Sequence, residues 1–223
     1  MKMYVSGKWI ESNETINVVN PYDGQIVDTV PKGNSEDVDK GITSAVRGAV
    51  VMASLTGYRK FEILRKTADI LEERIEEFAQ IITQEEGKTI NEARGEVQRA
   101  VQTISLSGEE AKRLYGETIP LDGAPTWSGQ FGFTIRIPVG VVAAISPFNF
   151  PLNLVAHKVG PAIAAGNSVI VKPATDTPLS ALKLTEILLE SGLPEEGIQC
   201  ITGTGASIGD TLVADNRIRK ITF

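Results

Sequence analysis

Ile145-Ser146-Pro147-Phe148-Asn149-Phe150-Pro151 breaks an apolar strand and restarts the chain as a helix. Upstream, Val139-Gly140-Val141-Val142-Ala143-Ala144 reads as a buried strand, and downstream Leu152-Asn153-Leu154-Val155-Ala156 reads as the opening of a helix. The turn carries one polar amide between two aromatic rings, bounded by prolines. In open α/β sheets ligands bind at the carboxyl ends of strands, where such turns lie. Asn149 is therefore the first residue to suspect of chemistry; its plain alternative is a cap for the helix that follows.

Outward from this stretch the chain alternates strand and helix. Strands are predicted at 141–146, 168–172, 198–202 and 218–223, with helices starting near Pro151, Pro178 and Ala206. Short, nearly all-apolar strands alternating with helices imply βαβ crossovers and a parallel sheet covered on both faces. The helix from Pro178 is expected to take Thr177 as its cap and to end at Ser191-Gly192. This half is a Rossmann-like α/β layout.

Three strand ends then share one edge of the sheet. They present the Asn149 turn, Lys172-Pro173-Ala174-Thr175, and Thr202-Gly203-Thr204-Gly205-Ala206-Ser207-Ile208-Gly209. A cation, a hydroxyl and a glycine-rich turn suit the ribose and phosphates of a dinucleotide. The glycine spacing is one residue longer than the usual dinucleotide fingerprint, so a plain strand-to-helix turn explains it equally well when taken alone.

The first 115 residues read differently. Strand-like pieces at Met3-Tyr4-Val5, Lys8-Trp9-Ile10 and Thr15-Ile16-Asn17-Val18-Val19 are punctuated by Ser6-Gly7 and Asn20-Pro21-Tyr22-Asp23-Gly24, the last suggesting a hairpin. Ser35 looks like the cap of a first helix. Leu64, Ala68, Leu71, Ile75, Phe78 and Ile82 form the buried stripe of one long amphipathic helix ending at Gly87. A further helix from about Thr89 buries Ile90, Ala93, Val97, Val101 and Ile104, leaving Glu92, Arg94, Glu96 and Arg99 as a solvated face. Residues 116–127 look like loop, and 131–137 like a strand. The expected organisation is a hairpin-and-helix portion (1–115), a connecting hairpin segment (116–138) and the Rossmann-like portion (139–223).

Composition narrows the function classes. The chain is 42% hydrophobic and 22% charged with a net charge of −6, which suits an ordinary globular protein. That charge argues against a nucleic-acid or anionic-membrane surface, and no apolar run reaches the length of a membrane span. One cysteine and one histidine leave no framework for a disulfide or a cysteine- or histidine-based metal site. The expectation is a reduced, cytoplasmic protein without a signal peptide. Ile218-Arg219-Lys220-Ile221-Thr222-Phe223 reads as a strand entering a sheet, so the chain is expected to be the leading part of something longer.

Together, Pro147-Phe148-Asn149-Phe150-Pro151, Gly160-Pro161-Ala162-Ile163-Ala164-Ala165-Gly166-Asn167, Lys172-Pro173 and the Thr202–Gly209 turn closely resemble the aldehyde dehydrogenase superfamily. Val19-Asn20-Pro21 with Gly24 resembles it too. Within that family the chain looks most like the lactaldehyde and non-phosphorylating glyceraldehyde-3-phosphate dehydrogenase branch. The resemblance implies NAD(P)-dependent oxidation of an aldehyde to an acid through a cysteine thiohemiacetal. The family's nucleophilic cysteine and its glutamate base correspond to positions later than Phe223. Cys200, inside a strand, reads as a small buried hydrophobe rather than the nucleophile.

By the same resemblance Asn149 donates its amide to the oxyanion, and Lys158 matches a lysine implicated in proton movement. Ile145, Ser146, Pro147, Phe148, Lys172, Ala174, Thr175, Gly205, Gly209 and Phe223 match cofactor-binding positions, while Arg99 and Phe150 match positions facing the substrate. Many NAD-preferring members carry glutamate where Thr175 stands. A carboxylate there repels a 2′-phosphate and threonine does not, so NADP is expected to be accepted alongside NAD. The segment around 116–137 resembles the family's oligomerisation strands, implying a dimer or tetramer. Two alternatives stay open: a non-catalytic nucleotide-binding or scaffold protein, and a relative that makes acyl-CoA.

Overall fold

The alternation expected from residue 139 onward is present in the computed structural model, which describes residues 1–223. The chain opens with two antiparallel hairpins, β1 (Met3–Val5) with β2 (Lys8–Ile10) and β3 (Thr15–Val19) with β4 (Ile26–Pro31). Helix α1 (Ser35–Ser54) is capped by Asn34 rather than Ser35, because the Asn34 side chain accepts from Glu36 N and Asp37 N while Asp37 bonds back to it.

The single long helix expected next is two, α2 (Gly57–Glu73) and α3 (Ile75–Glu86), because the backbone leaves the helical region at Arg74 (φ −105°, ψ 24°). The apolar stripe runs across the break without losing phase, which is why periodicity alone reads it as continuous. Gly87 ends α3 as expected, at φ +88°, and a Cβ there would stand 2.6 Å from Pro21. Helix α4 (Ile90–Ala111) starts from a reciprocal Thr89–Glu92 cap. The segment after it forms only a minimal pair, β5 (Thr118–Ile119) with β6 (Gly132–Phe133), so the strand expected over 131–137 shrinks to two residues.

Then come β7 (Val141–Ile145), α5 (Asn153–Ala164), β8 (Ser168–Lys172), α6 (Leu179–Glu190), β9 (Ile198–Cys200), a π-helical turn (Gly205–Gly209), α7 (Asp210–Ala214) and β10 (Ile218–Thr222). The helix expected at Ala206 is thus a wider turn followed by one short helix. The sheet order is β10-β7-β8-β9-β1-β2. It is parallel from β10 to β9. The first hairpin does not lie on a face of this sheet: it extends the edge, with β1 antiparallel to β9.

Both faces are covered, as all-apolar strands require. Val141, Ala143 and Ile170 pack with Val38, Ile42, Ala45 and Leu212 of α1 and α7. Val142, Ala144, Val169 and Val171 face the other way, into a core shared with α5, α6 and the α2–α4 layer behind them. No helix is long and apolar enough to cross a membrane.

Candidate active site

The carboxyl ends of β7, β8 and β9 are tied into one edge. Ile145 pairs with Lys172 in register, and Ser146 N donates to Lys172 O at 3.2 Å. Thr175 Oγ1 reaches Gly203 O at 3.4 Å, and Thr177 Oγ1 reaches Phe148 O at 3.5 Å. Ser146 is buried while Pro147 and Phe148 are exposed, so the turn leaves the sheet immediately after its anchoring residue. Phe223 follows β10, which runs parallel beside β7, and its ring is 90% exposed.

Lys172 is buried, and its ammonium finds only the Pro173 carbonyl, at 3.1 Å. Desolvation pushes its pKa below the usual lysine value. An ammonium has three donors, so one carbonyl leaves donors free for an outside acceptor. Across from it, a Cβ on Gly203 would press on the Ile208 side chain at 2.9 Å, whereas at Gly205 and Gly209 a Cβ would meet nothing within 4 Å. Their bare backbone therefore serves no packing need of this chain. Ala174 and Thr175, both half-buried, lie between Lys172 and this turn. Cation, hydroxyl and bare turn together fit a nucleotide.

Asn149 and Phe150 turn the other way, towards α4. They line a cleft of about 640 Å³ with Glu86, Lys88, Glu92 and Arg99. The Arg99 guanidinium lies 5.0 Å from the centre of the Phe150 ring. Lys88 is already committed, 2.7 Å from Glu96, but Arg99 has no carboxylate partner; its Nε donates only to Gly95 O at 3.4 Å. Arg99 is the uncommitted cation of the cleft.

Two glutamates that the residue pattern assigned to the surface, or passed over, are buried here. Glu96 is 0% exposed and accepts from Leu152 N and Asn153 N, each at 3.0 Å, at the start of α5. Glu85 is 2% exposed and accepts from Leu179 N at 2.7 Å, Ser180 N at 3.0 Å and the Ser180 hydroxyl, at the start of α6. Glu85, not Thr177, therefore caps α6, and Glu96, not Asn149, caps α5. Burial raises the Glu85 carboxyl from 4.5 to about 7 against the opposing pull of its donors.

Lys158 stands apart from this cleft. It is half-buried on α5, in a separate cavity of about 310 Å³ with Ile137, Val139, Lys220 and Thr222, and desolvation lowers its pKa. Cys200 is buried in β9 and its thiol is pushed up to about 12 by burial, so it is no nucleophile.

The family model for the aldehyde dehydrogenase family matches residues 9–223. This chain belongs to the aldehyde dehydrogenase family. The 3-sulfolactaldehyde dehydrogenase of Priestia aryabhattai is 46% identical over 221 residues, covering 99% of this chain and 46% of that relative. The mitochondrial succinate-semialdehyde dehydrogenase of Arabidopsis thaliana is 40% identical, covering 98% of this chain and 41% of its own length. Among solved aldehyde dehydrogenases, the NADP-dependent glyceraldehyde-3-phosphate dehydrogenase of Bacillus halodurans C-125, complexed with NADP, superposes with a TM-score of 0.94 at 38% identity, covering 100% of this chain and 47% of that one. The chain spans about half the length of the curated relatives it matches.

Proposed function

We propose that this chain is the cofactor-binding half of an NAD(P)-dependent aldehyde dehydrogenase that oxidises a small aldehyde to its acid. The observation that carries the reading is the division of labour at the Asn149 turn. Glu96 takes over the cap of α5, so the Asn149 side chain stays exposed and available. An amide remains a donor across the working pH range, and a preorganised neutral donor stabilises charge that develops on a carbonyl oxygen.

On the cofactor side, Lys172, Ala174 and Thr175 receive the adenosine half, Gly205 and Gly209 allow its close approach, and Ile145 to Phe148 with Phe223 border the remainder. When bound, the nicotinamide accepts a hydride from the substrate. Thr175 brings no negative charge to a 2′-phosphate, which favours acceptance of NADP. On the substrate side, Arg99 over Phe150 suits an aldehyde with an anionic tail. Lys158, whose pKa burial lowers, is assigned to proton movement from the neighbouring cavity it occupies on α5.

The assembled enzyme is a cytoplasmic homo-oligomer in this reading. The exposed Phe131, Phe133, Ile135 and Ile137 in and flanking β6 form an apolar strip that a second subunit would cover. A saturating calorimetric titration of the folded chain with NADP and then NAD tests the nucleotide assignment. Binding of NADP is expected; a folded chain that binds neither refutes it.

A further inference from the structure

Helices α5 and α6 follow the two site turns, and neither has a side-chain cap from its own N-terminal residues. For α5 the substitute is a two-residue clamp from the α3–α4 corner. One oxygen of the Glu96 carboxylate accepts the Leu152 and Asn153 amides, and the other accepts Lys88 Nζ at 2.7 Å. The same ammonium donates to the Asn149 carbonyl at 2.9 Å and stands 4.2 Å from the Phe150 ring centre. Backbone at 149, ring at 150 and amides at 152 and 153 are all gripped, whereas no hydrogen bond engages the Asn149 side chain.

An asparagine just ahead of a helix ordinarily becomes its cap. An amide spent in that way would point back at the helix rather than into the cleft. Glu96 is the stronger acceptor, being charged and fully buried, so it wins the orphan amides outright. Lys88 then balances the buried charge and fixes the peptide from which the Asn149 side chain springs.

We propose that Lys88 and Glu96 are positioning residues for the reaction: they hold the Phe148–Pro151 turn so that the Asn149 amide stays free and aimed into the substrate cleft. This rests on the reading of Asn149 as the oxyanion donor.

The test is NMR on the whole 223-residue chain, following amide hydrogen exchange at Leu152 and Asn153 and the side-chain amide resonances of Asn149. Glu96→Ala is expected to speed exchange at the two amides about tenfold, the effect of losing a cap, and to shift the Asn149 side-chain resonances. Glu96→Gln keeps one acceptor and is expected to restore exchange to within about threefold of wild type. Lys88→Met should leave Leu152 and Asn153 protected yet still move the Asn149 resonances. Unchanged exchange in Glu96→Ala, acceleration spread evenly over α2 and α4, or Asn149 resonances identical in every variant would overturn the proposal. If Glu96→Ala does not fold, Glu96→Gln and Lys88→Met decide it, since a clamp predicts Asn149 shifts in both. Asn149→Ala separates the two layers of the argument. It should leave exchange at Leu152 and Asn153 untouched; acceleration there would make Asn149 a cap and sink the oxyanion reading itself.

Discussion

Replacing Gly205 by alanine separates what the glycine turn does for the fold from what it does for a ligand. Gly205 has a right-handed helical backbone in the π-helical turn, and an added Cβ meets no atom within 4 Å. Alanine restricts the unfolded chain and strains nothing in the folded one, so stability should rise by about 0.5–1 kcal/mol. A nucleotide that approaches this backbone closely would instead meet the new methyl. Overpacking of that kind costs about 1–3 kcal/mol, or roughly 5- to 150-fold in affinity. Urea unfolding and NADP calorimetry on the same preparation read the two effects, and opposite signs are expected. Gly203→Ala is the control, because its Cβ would stand 2.9 Å from Ile208 and 3.0 Å from Ser207, so that variant should lose stability. Wild-type NADP affinity in Gly205→Ala would refute the placement of the cofactor against this turn.

Thr175→Glu should weaken NADP by roughly tenfold relative to NAD, from about 1–2 kcal/mol of repulsion between a carboxylate and the 2′-phosphate in a half-solvated site; an unchanged NADP-to-NAD ratio would place the 2′ position elsewhere. Lys172 has its pKa lowered by burial, so NADP affinity should fall as pH rises, beginning below the usual lysine range, and Lys172→Met should remove that slope. Glu85 binds its proton more tightly when folded, about 7 against 4.5. The unfolded chain therefore releases that proton first, and the contribution to stability is present at low pH and lost between about 4.5 and about 7. The loss is on the order of 3 kcal/mol relative to Glu85→Gln. A wild-type-minus-variant difference that rises with pH over that window would show the carboxylate to be favoured, not penalised, by its surroundings.

The sheet was legible because its signal is strong: strands buried on both faces are apolar throughout, and β7 to β10 fall within two residues of their expected bounds. The site turns were legible because prolines and glycines mark strand ends directly. Interactions made at a distance in sequence were not. Thr177 and Asn149 are the local candidates for capping α6 and α5, and local reasoning cannot anticipate acceptors arriving from residues 85 and 96. A signal for those acceptors did exist. Glu85 continues the Phe78–Ile82 stripe three residues on, and Glu96 falls between Ala93 and Ala100 at steps of three and four. A charged residue in phase with an apolar stripe is buried, and a buried carboxylate must find donors. Averaging charges into a polar face hides it. The break at Arg74 left no comparable trace, since the stripe keeps its phase through it.

The borrowed caps also bind the two halves of the chain into one cooperative unit. Until α3 and α4 dock, α5 and α6 begin with unsatisfied amides, and one edge of β9 stays open until the first hairpin closes on it. Sheet and helical layer thus depend on contacts between residues some 55 to 200 positions apart. Such non-local closure favours late, all-or-none folding over stepwise assembly. The chain should unfold in a single transition, and residues 139–223 expressed alone should not hold the nucleotide turns in place.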